Sequence, residues 1–168
     1  MLLDFDRDVR GLSSQPFTLT WRDPAGKKVS HTPDYFARMS DGSVVVVDVR
    51  PADRVKPPDA AKFEMTASAC EAVPGWSFRL VHEPDPVLAG NVRWLSGYRH
   101  PRHDRRQVSG LLREVFLGGA ELLAGAEAAG DPIGVLPVLF HLMWGGDLLA
   151  DVSVPLHDAT LVCTRAAG

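Results

Sequence analysis

The sequence predicts a small mixed α/β sheet followed by a helical region. Three observations carry this: alternating apolar residues in the first half, an unbroken valine run at residues 44–47, and helical apolar spacing after Asp85. A length of 168 residues suits one domain with an appendage, and 45% hydrophobic with 23% charged residues is ordinary globular composition. Collagen, a coiled-coil rod and a fully disordered chain are excluded. Eighteen Lys+Arg against 21 Asp+Glu give a formal charge of −3, so no global basic field advertises a nucleic-acid partner.

Phe17, Leu19 and Trp21 alternate with Thr18 and Thr20, the pattern of a half-buried strand, and Asp23-Pro24-Ala25-Gly26 turns it. A second strand is expected to start near Lys28 and resume through Tyr35, Phe36 and Ala37. After the tight turn at Asp41-Gly42, the valines suit a central strand covered on both faces, closed by Pro51. Asp59 is expected to cap a helix through Phe63, Ala67 and Cys70 that Pro74-Gly75 stops. Trp76, Phe78 and Leu80 then form a strand ending near His82, reached by a parallel crossover.

Asp85 is expected to cap a helix beginning at Pro86. A basic linker over residues 98–106 and an amphipathic helix over 107–129 follow. A third helix carries Leu136, Leu139, Phe140 and Met143 and ends at Gly145-Gly146. Short strands at 148–152 and 160–164 complete the chain. Helices followed by a small hairpin resemble a reduced winged helix. The boundary is placed near Pro101, dividing an α/β domain (1–100) from a helical one (101–168).

Cys70 and Cys163 lie far apart, outside any CxxC spacing, and are expected as two buried thiols in a reducing compartment. The acidic start offers no signal core, and the longest apolar stretches, 44–47 and 135–144, fall far short of the roughly 20 residues of a membrane span. A cytoplasmic location is the expectation. No GxGxxG, Walker, GxSxG or HExxH motif is present.

The chemistry concentrates in His31-Thr32-Pro33-Asp34 and Val47-Asp48-Val49-Arg50. Asp34 lies at the mouth of a hairpin, and Asp48 near the carboxyl end of the most hydrophobic strand. Strand alternation puts Asp48 and Arg50 on one face. Two carboxylates at one sheet end with a cation beside them are a minimal kit for a hard divalent ion and a phosphodiester, and the Val49 carbonyl could add a ligand. The bland alternative is a turn organised by Asp34 and an exposed Asp48–Arg50 pair. His31 borders the pair in a supporting role, and His141 is expected to be a packing residue. Arg93, Arg99, Arg102, Arg105 and Arg106 form the one concentrated positive run, with Trp94 and Tyr98 interleaved. That run suits phosphate contacts or a solvated linker, with Trp94 packed into the core.

These motifs, together with Leu3-Asp4-Phe5-Asp6, Ser14-Gln15-Pro16-Phe17, Asn91-Val92-Arg93-Trp94-Leu95, Gly97-Tyr98-Arg99-His100, His141-Leu142-Met143-Trp144-Gly145-Gly146 and Pro155-Leu156-His157-Asp158-Ala159-Thr160, resemble the actinobacterial TnsA-like endonuclease subunits of heteromeric transposases. The resemblance implies a restriction-endonuclease-like fold using Mg²⁺, with Mn²⁺ as a substitute. It implies cutting of double-stranded DNA beside transposon ends, alongside a DDE-type transposase subunit and an AAA+ ATPase regulator. Asp34 matches the family's central metal-binding aspartate and Asp48 its second acidic or amide position. Arg50 stands where lysine is usual, which leaves charge stabilisation but removes general-base action. The family's acidic residue on an N-terminal helix has no counterpart here, either because the start is truncated or because the helix is absent. The competing expectation is therefore a catalytically impaired DNA-binding and assembly subunit. A structural α/β protein unrelated to DNA is a third.

Overall fold

The valine run becomes the centre of a mixed sheet. The computed structural model describes residues 1–165. The chain divides into Asp6–Glu83 and a second unit made of Met1–Phe5 with the chain from Pro84 onward. The division falls at Pro84, ahead of the linker at Pro101 where composition alone suggested it. The first helix, α1 (Leu2–Phe5), belongs to the second unit, where the Phe5 ring lies 5.3 Å from that of Trp144.

In the unit Asp6–Glu83, β1 (Val9–Ser14) precedes a hairpin of β2 (Leu19–Arg22) and β3 (Lys28–His31). β4 (Tyr35–Met39), β5 (Val44–Val49), α2 (Pro57–Glu71) and β6 (Trp76–Val81) follow. The main sheet runs β1-β4-β5-β6, antiparallel except for the parallel β5–β6 pair. The segment expected as one interrupted strand from Lys28 to Ala37 is two strands in different sheets. Thr32-Pro33 breaks it, since proline has no amide for a ladder and restricts the residue before it.

Val46 and Val47 point to opposite faces of β5 and are 0% and 1% exposed, so both faces are covered there. On the Val44–Val46 face, α2 buries Phe63, Thr66 and Cys70 at helical spacing. Lys56, with no side-chain cap bond, holds the N-cap position, and Asp59 lies inside the first turn, where its charge complements the helix dipole. Thr66 is buried but donates to the Lys62 carbonyl at 2.9 Å. The rings of Phe17, Phe36 and Trp76, 5.1–6.3 Å apart, close the other end of this layer.

The second unit is mainly helical. Asp85 caps α3 (Pro86–Ser96), accepting from the Val87 and Leu88 amides. The expected single helix over 107–129 is α4 (Arg106–Val115) and α5 (Leu122–Ala129), separated by Gly118-Gly119. Gly119, at φ 79°, turns the chain into β7 (Ala120–Glu121). α6 (Pro132–Gly145) ends at Gly146, left-handed at φ 77°. β8 (Leu148–Leu149) and β9 (Leu161–Thr164) complete a small sheet ordered β7-β9-β8. Val92, Leu95, Leu112, Phe116, Leu139 and Leu142 lead its core. Cys70 is buried, but Cys163, expected buried, is exposed on β9. No single helix among the described residues is long and apolar enough to cross a membrane.

Two helical glycines give opposite expectations. A Cβ on Gly125 would overlap the ring of Phe116, itself 0% exposed, whereas one on Gly110 meets nothing within 4 Å. Gly125→Ala is expected to destabilise by about 1–3 kcal/mol, because overpacking outweighs helix propensity. Gly110→Ala is expected to stabilise by up to about 1 kcal/mol. Urea unfolding of both variants checks the pair of signs.

Candidate functional site

Register brings the acidic residues together. Tyr35 pairs with Val47 and Phe36 with Val46, so one further step places Asp34 opposite Asp48, just past the end of the ladder. There the Asp34 side chain replaces a backbone partner: its Oδ2 accepts from the Val49 amide at 2.8 Å. Because N–H and C=O of one strand residue point the same way, the Val49 carbonyl also leaves the strand toward Asp34. Pro33, fully buried, fixes the entry to β4. Gln15, the one non-glycine residue at positive φ (47°) among the described residues, donates its amide to the Asp34 carbonyl at 2.9 Å.

Asp48 is 3% exposed, a severe environment for a carboxylate. Its partner arrives from the separate hairpin. His31, at the end of β3, sets Nε2 2.8 Å from Asp48 Oδ2, and a nitrogen facing a carboxylate oxygen there donates. The imidazole is packed edge-on against the Phe63 ring of α2 at 5.7 Å. No fully buried side-chain oxygen or nitrogen among the described residues lacks a partner, so the second oxygen of Asp48, which accepts no hydrogen bond from the protein, keeps a small contact with solvent. Burial, then the negative charges of Asp48 and Glu71, push the Cys70 thiol up, so it stays protonated on the same face, packed by Val44 and Val46.

Arg50 continues the ladder one residue past β5, donating its amide to Val81 O at 2.9 Å, and its exposed side chain shares the Asp48 face. Its carbonyl accepts from His82 Nδ1 at 2.8 Å. The Glu83 carboxylate accepts from the Ala52 amide at 3.3 Å. Hydrogen bonds from its own amide and that of Ala52 hold Glu83 below the usual carboxylate range. The sequence marks His82 only as a strand end and does not single out Glu83. The available signal was that a parallel β6 must end beside β5, delivering whatever follows Val81 to the same edge.

Among the described residues, no group of three or more His, Cys, Asp and Glu forms a metal cage. Asp34, Asp48 and the Val49 carbonyl instead make a sparse oxygen set, which suits a hard ion that keeps several waters.

In the second unit, Arg93, Arg99, Arg102, Arg105 and Arg106 are all exposed around the end of α3, the 3-10 turn Pro101–His103 and the start of α4. None forms an ion pair with a carboxylate among the described residues. Asp104 accepts from Ser109 Oγ at 2.8 Å. Trp94, expected in the core, is 57% exposed, with its ring 5.8 Å from Tyr98 and 6.0 Å from Phe140. The α3 positions that face inward are Val92 and Leu95, and Trp94 between them falls on the outer side. His141 is a packing residue, donating Nδ1–H to Tyr98 O at 2.7 Å.

Two measurements follow. His31→Ala leaves Asp48 buried without its partner and is expected to cost about 1–3 kcal/mol in urea unfolding. His103 sits below its ordinary value, held down by partial burial and then by Arg102, His141, His100 and Arg105, while its Nε2 accepts from Arg102 Nε. A depressed histidine binds fewer protons when folded, so its stabilising contribution is lost as pH falls below about 6.5. An NMR titration should show His103 below the unfolded value, and bound phosphates should raise it.

Comparison with known families finds one similarity. Residues 6–83 match the family profile described as TnsA-like endonuclease N terminal. A search of curated proteins found no match. The matched span coincides with the unit Asp6–Glu83, which carries His31, Asp34, Asp48 and Arg50. A TnsA-like N-terminal domain is therefore present at residues 6–83 of this chain.

Proposed function

We propose that the chain is a metal-dependent DNA endonuclease subunit of a heteromeric transposase, hydrolysing a phosphodiester at transposon ends. The observation that carries this reading is the meeting of Asp34 and Asp48 at one sheet end inside a TnsA-like domain. Asp34, Asp48 and the Val49 carbonyl are the residues that would hold Mg²⁺ or, as a substitute, Mn²⁺. When bound, such an ion lowers the pKa of water and neutralises charge on phosphate oxygens. His31 fixes the orientation of Asp48 by donating to one of its oxygens. Asp34 is steadied by the Val49 amide. Arg50 binds a non-bridging phosphate oxygen and stabilises charge that develops on it, but holds no proton to exchange. The exposed arginines from Arg93 to Arg106 supply sequence-independent phosphate contacts on the second unit. A DDE-type transposase subunit and an AAA+ ATPase regulator are the proposed partners, and the helical unit with its terminal sheet is proposed as a winged-helix-like module.

The second reading, an impaired DNA-binding and assembly subunit, is favoured by one observation: no third acidic ligand joins the pair among the described residues. Nicking of transposon-end duplex in Mg²⁺, with the partner transposase present, separates the two. For an active subunit, Asp34→Ala and Asp48→Ala abolish nicking, and Arg50→Ala lowers its rate by about 10²–10³-fold. Binding without any nicking by the unaltered chain establishes the assembly reading instead.

A further inference from the structure

The hairpin that delivers His31 also builds a basic groove for which the site above has no use. A concavity of about 890 Å³ lies between the β2–β3 hairpin and the first turns of α2. Arg22, Lys27, Lys28 and Lys62 line it against two acids, Asp23 and Glu64. Lys27, Lys28 and Lys62 are three of the four lysines in the sequence, a concentration that the arginine-rich composition elsewhere does not explain. None of these four cations forms an ion pair among the described residues. Asp23 is turned inward, accepting from the Ala25 and Lys27 amides at 3.0 and 2.8 Å. Half-buried Trp21 supplies an apolar wall between the charges.

We infer that this groove holds the phosphate backbone of a DNA strand flanking the bond presented to Asp34 and Asp48. The inference rests on the nuclease reading and adds to it a strand path on the TnsA-like domain itself. Two elements connect the groove to the acidic pair. Lys28 lies on β3 three residues before His31, about 10 Å along a strand. Lys62 precedes Phe63, the ring on which His31 is packed. Lysines are flexible point charges that follow phosphates without reading bases, and the indole of Trp21 offers a face for a sugar. The volume is far larger than a single phosphate needs, so a polyanion is the fitting occupant. Duplex DNA is favoured over an acidic peptide because the groove shares its hairpin and helix with a site built for a phosphodiester.

The test measures binding of the full chain to an arbitrary duplex of about 30 base pairs by fluorescence anisotropy, without divalent metal, across a salt series. Lys28→Gln/Lys62→Gln is expected to weaken binding about tenfold and to flatten the plot of log K against log salt by about 1.8, near 0.9 per lost phosphate contact. Lys28→Arg/Lys62→Arg should retain both affinity and slope, and unchanged thermal unfolding shows the fold intact. Unaltered affinity and slope in the glutamine variant, or no DNA binding by the parent chain, would overturn the groove. So would an equal or larger loss for a polyglutamate probe, which would assign the surface to an acidic peptide. The nuclease reading fails separately: if the parent chain never nicks DNA in Mg²⁺ while the lysine effects hold, the groove stands and the catalytic assignment falls.

Discussion

A buried carboxylate at the end of the central strand is the constraint on which this domain is organised. At 3% exposure the Asp48 carboxylate needs a hydrogen-bond donor, and its neighbours on β5 are valines. The main sheet supplies no such donor from its own strands. The chain meets the requirement with a second, two-stranded element whose last residue, His31, reaches over the sheet. The position of the hairpin and the chemistry of the strand end are thus one problem with one solution.

That solution has consequences for packing. For the imidazole to reach Asp48, the hairpin must lie on the face that α2 covers, where Phe63 meets the His31 ring. Farther along, Phe17, Leu19, Cys70, Val73 and Trp76 close the contact of the hairpin with α2 and the sheet. At the opposite end the hairpin and helix diverge, leaving the lysine-lined groove. The same two elements therefore hold Asp48 through His31 and place positive charge farther along the same hairpin and helix.

The second unit obeys a different logic, that of close helix packing around a core. Gly125 lets α5 approach the Phe116 ring, and Gly118-Gly119 lets the chain reverse within four residues of α4. With Val92 and Leu95 turned inward, α3 presents Arg93 and Trp94 outward beside the Pro101–His103 turn. The apolar and cationic groups on this surface are therefore by-products of how α3 is seated, with the Trp94 ring against Tyr98 and Phe140.

Local signals sufficed wherever the physics was local. The valine run, the Asp41-Gly42 turn, the Asp85 cap and the Gly146 helix stop could be read directly, because propensity, capping and glycine's left-handed backbone act within a few residues. The order of a hairpin and its following strand also brings Asp34 and Asp48 to one sheet end, as the register shows. The long helix over 107–129 misled because its apolar spacing continues across the glycines, and only core packing decided that the chain should fold back there. Trp94 was assigned inward on hydrophobicity, yet its position between Val92 and Leu95 leaves it outside. The separate hairpin, the His31–Asp48 contact and the groove lined by Lys28 and Lys62 depend on pairings between segments far apart in the chain. Such pairings are chosen by the burial and charge balance of the whole fold, and no window of sequence contains them.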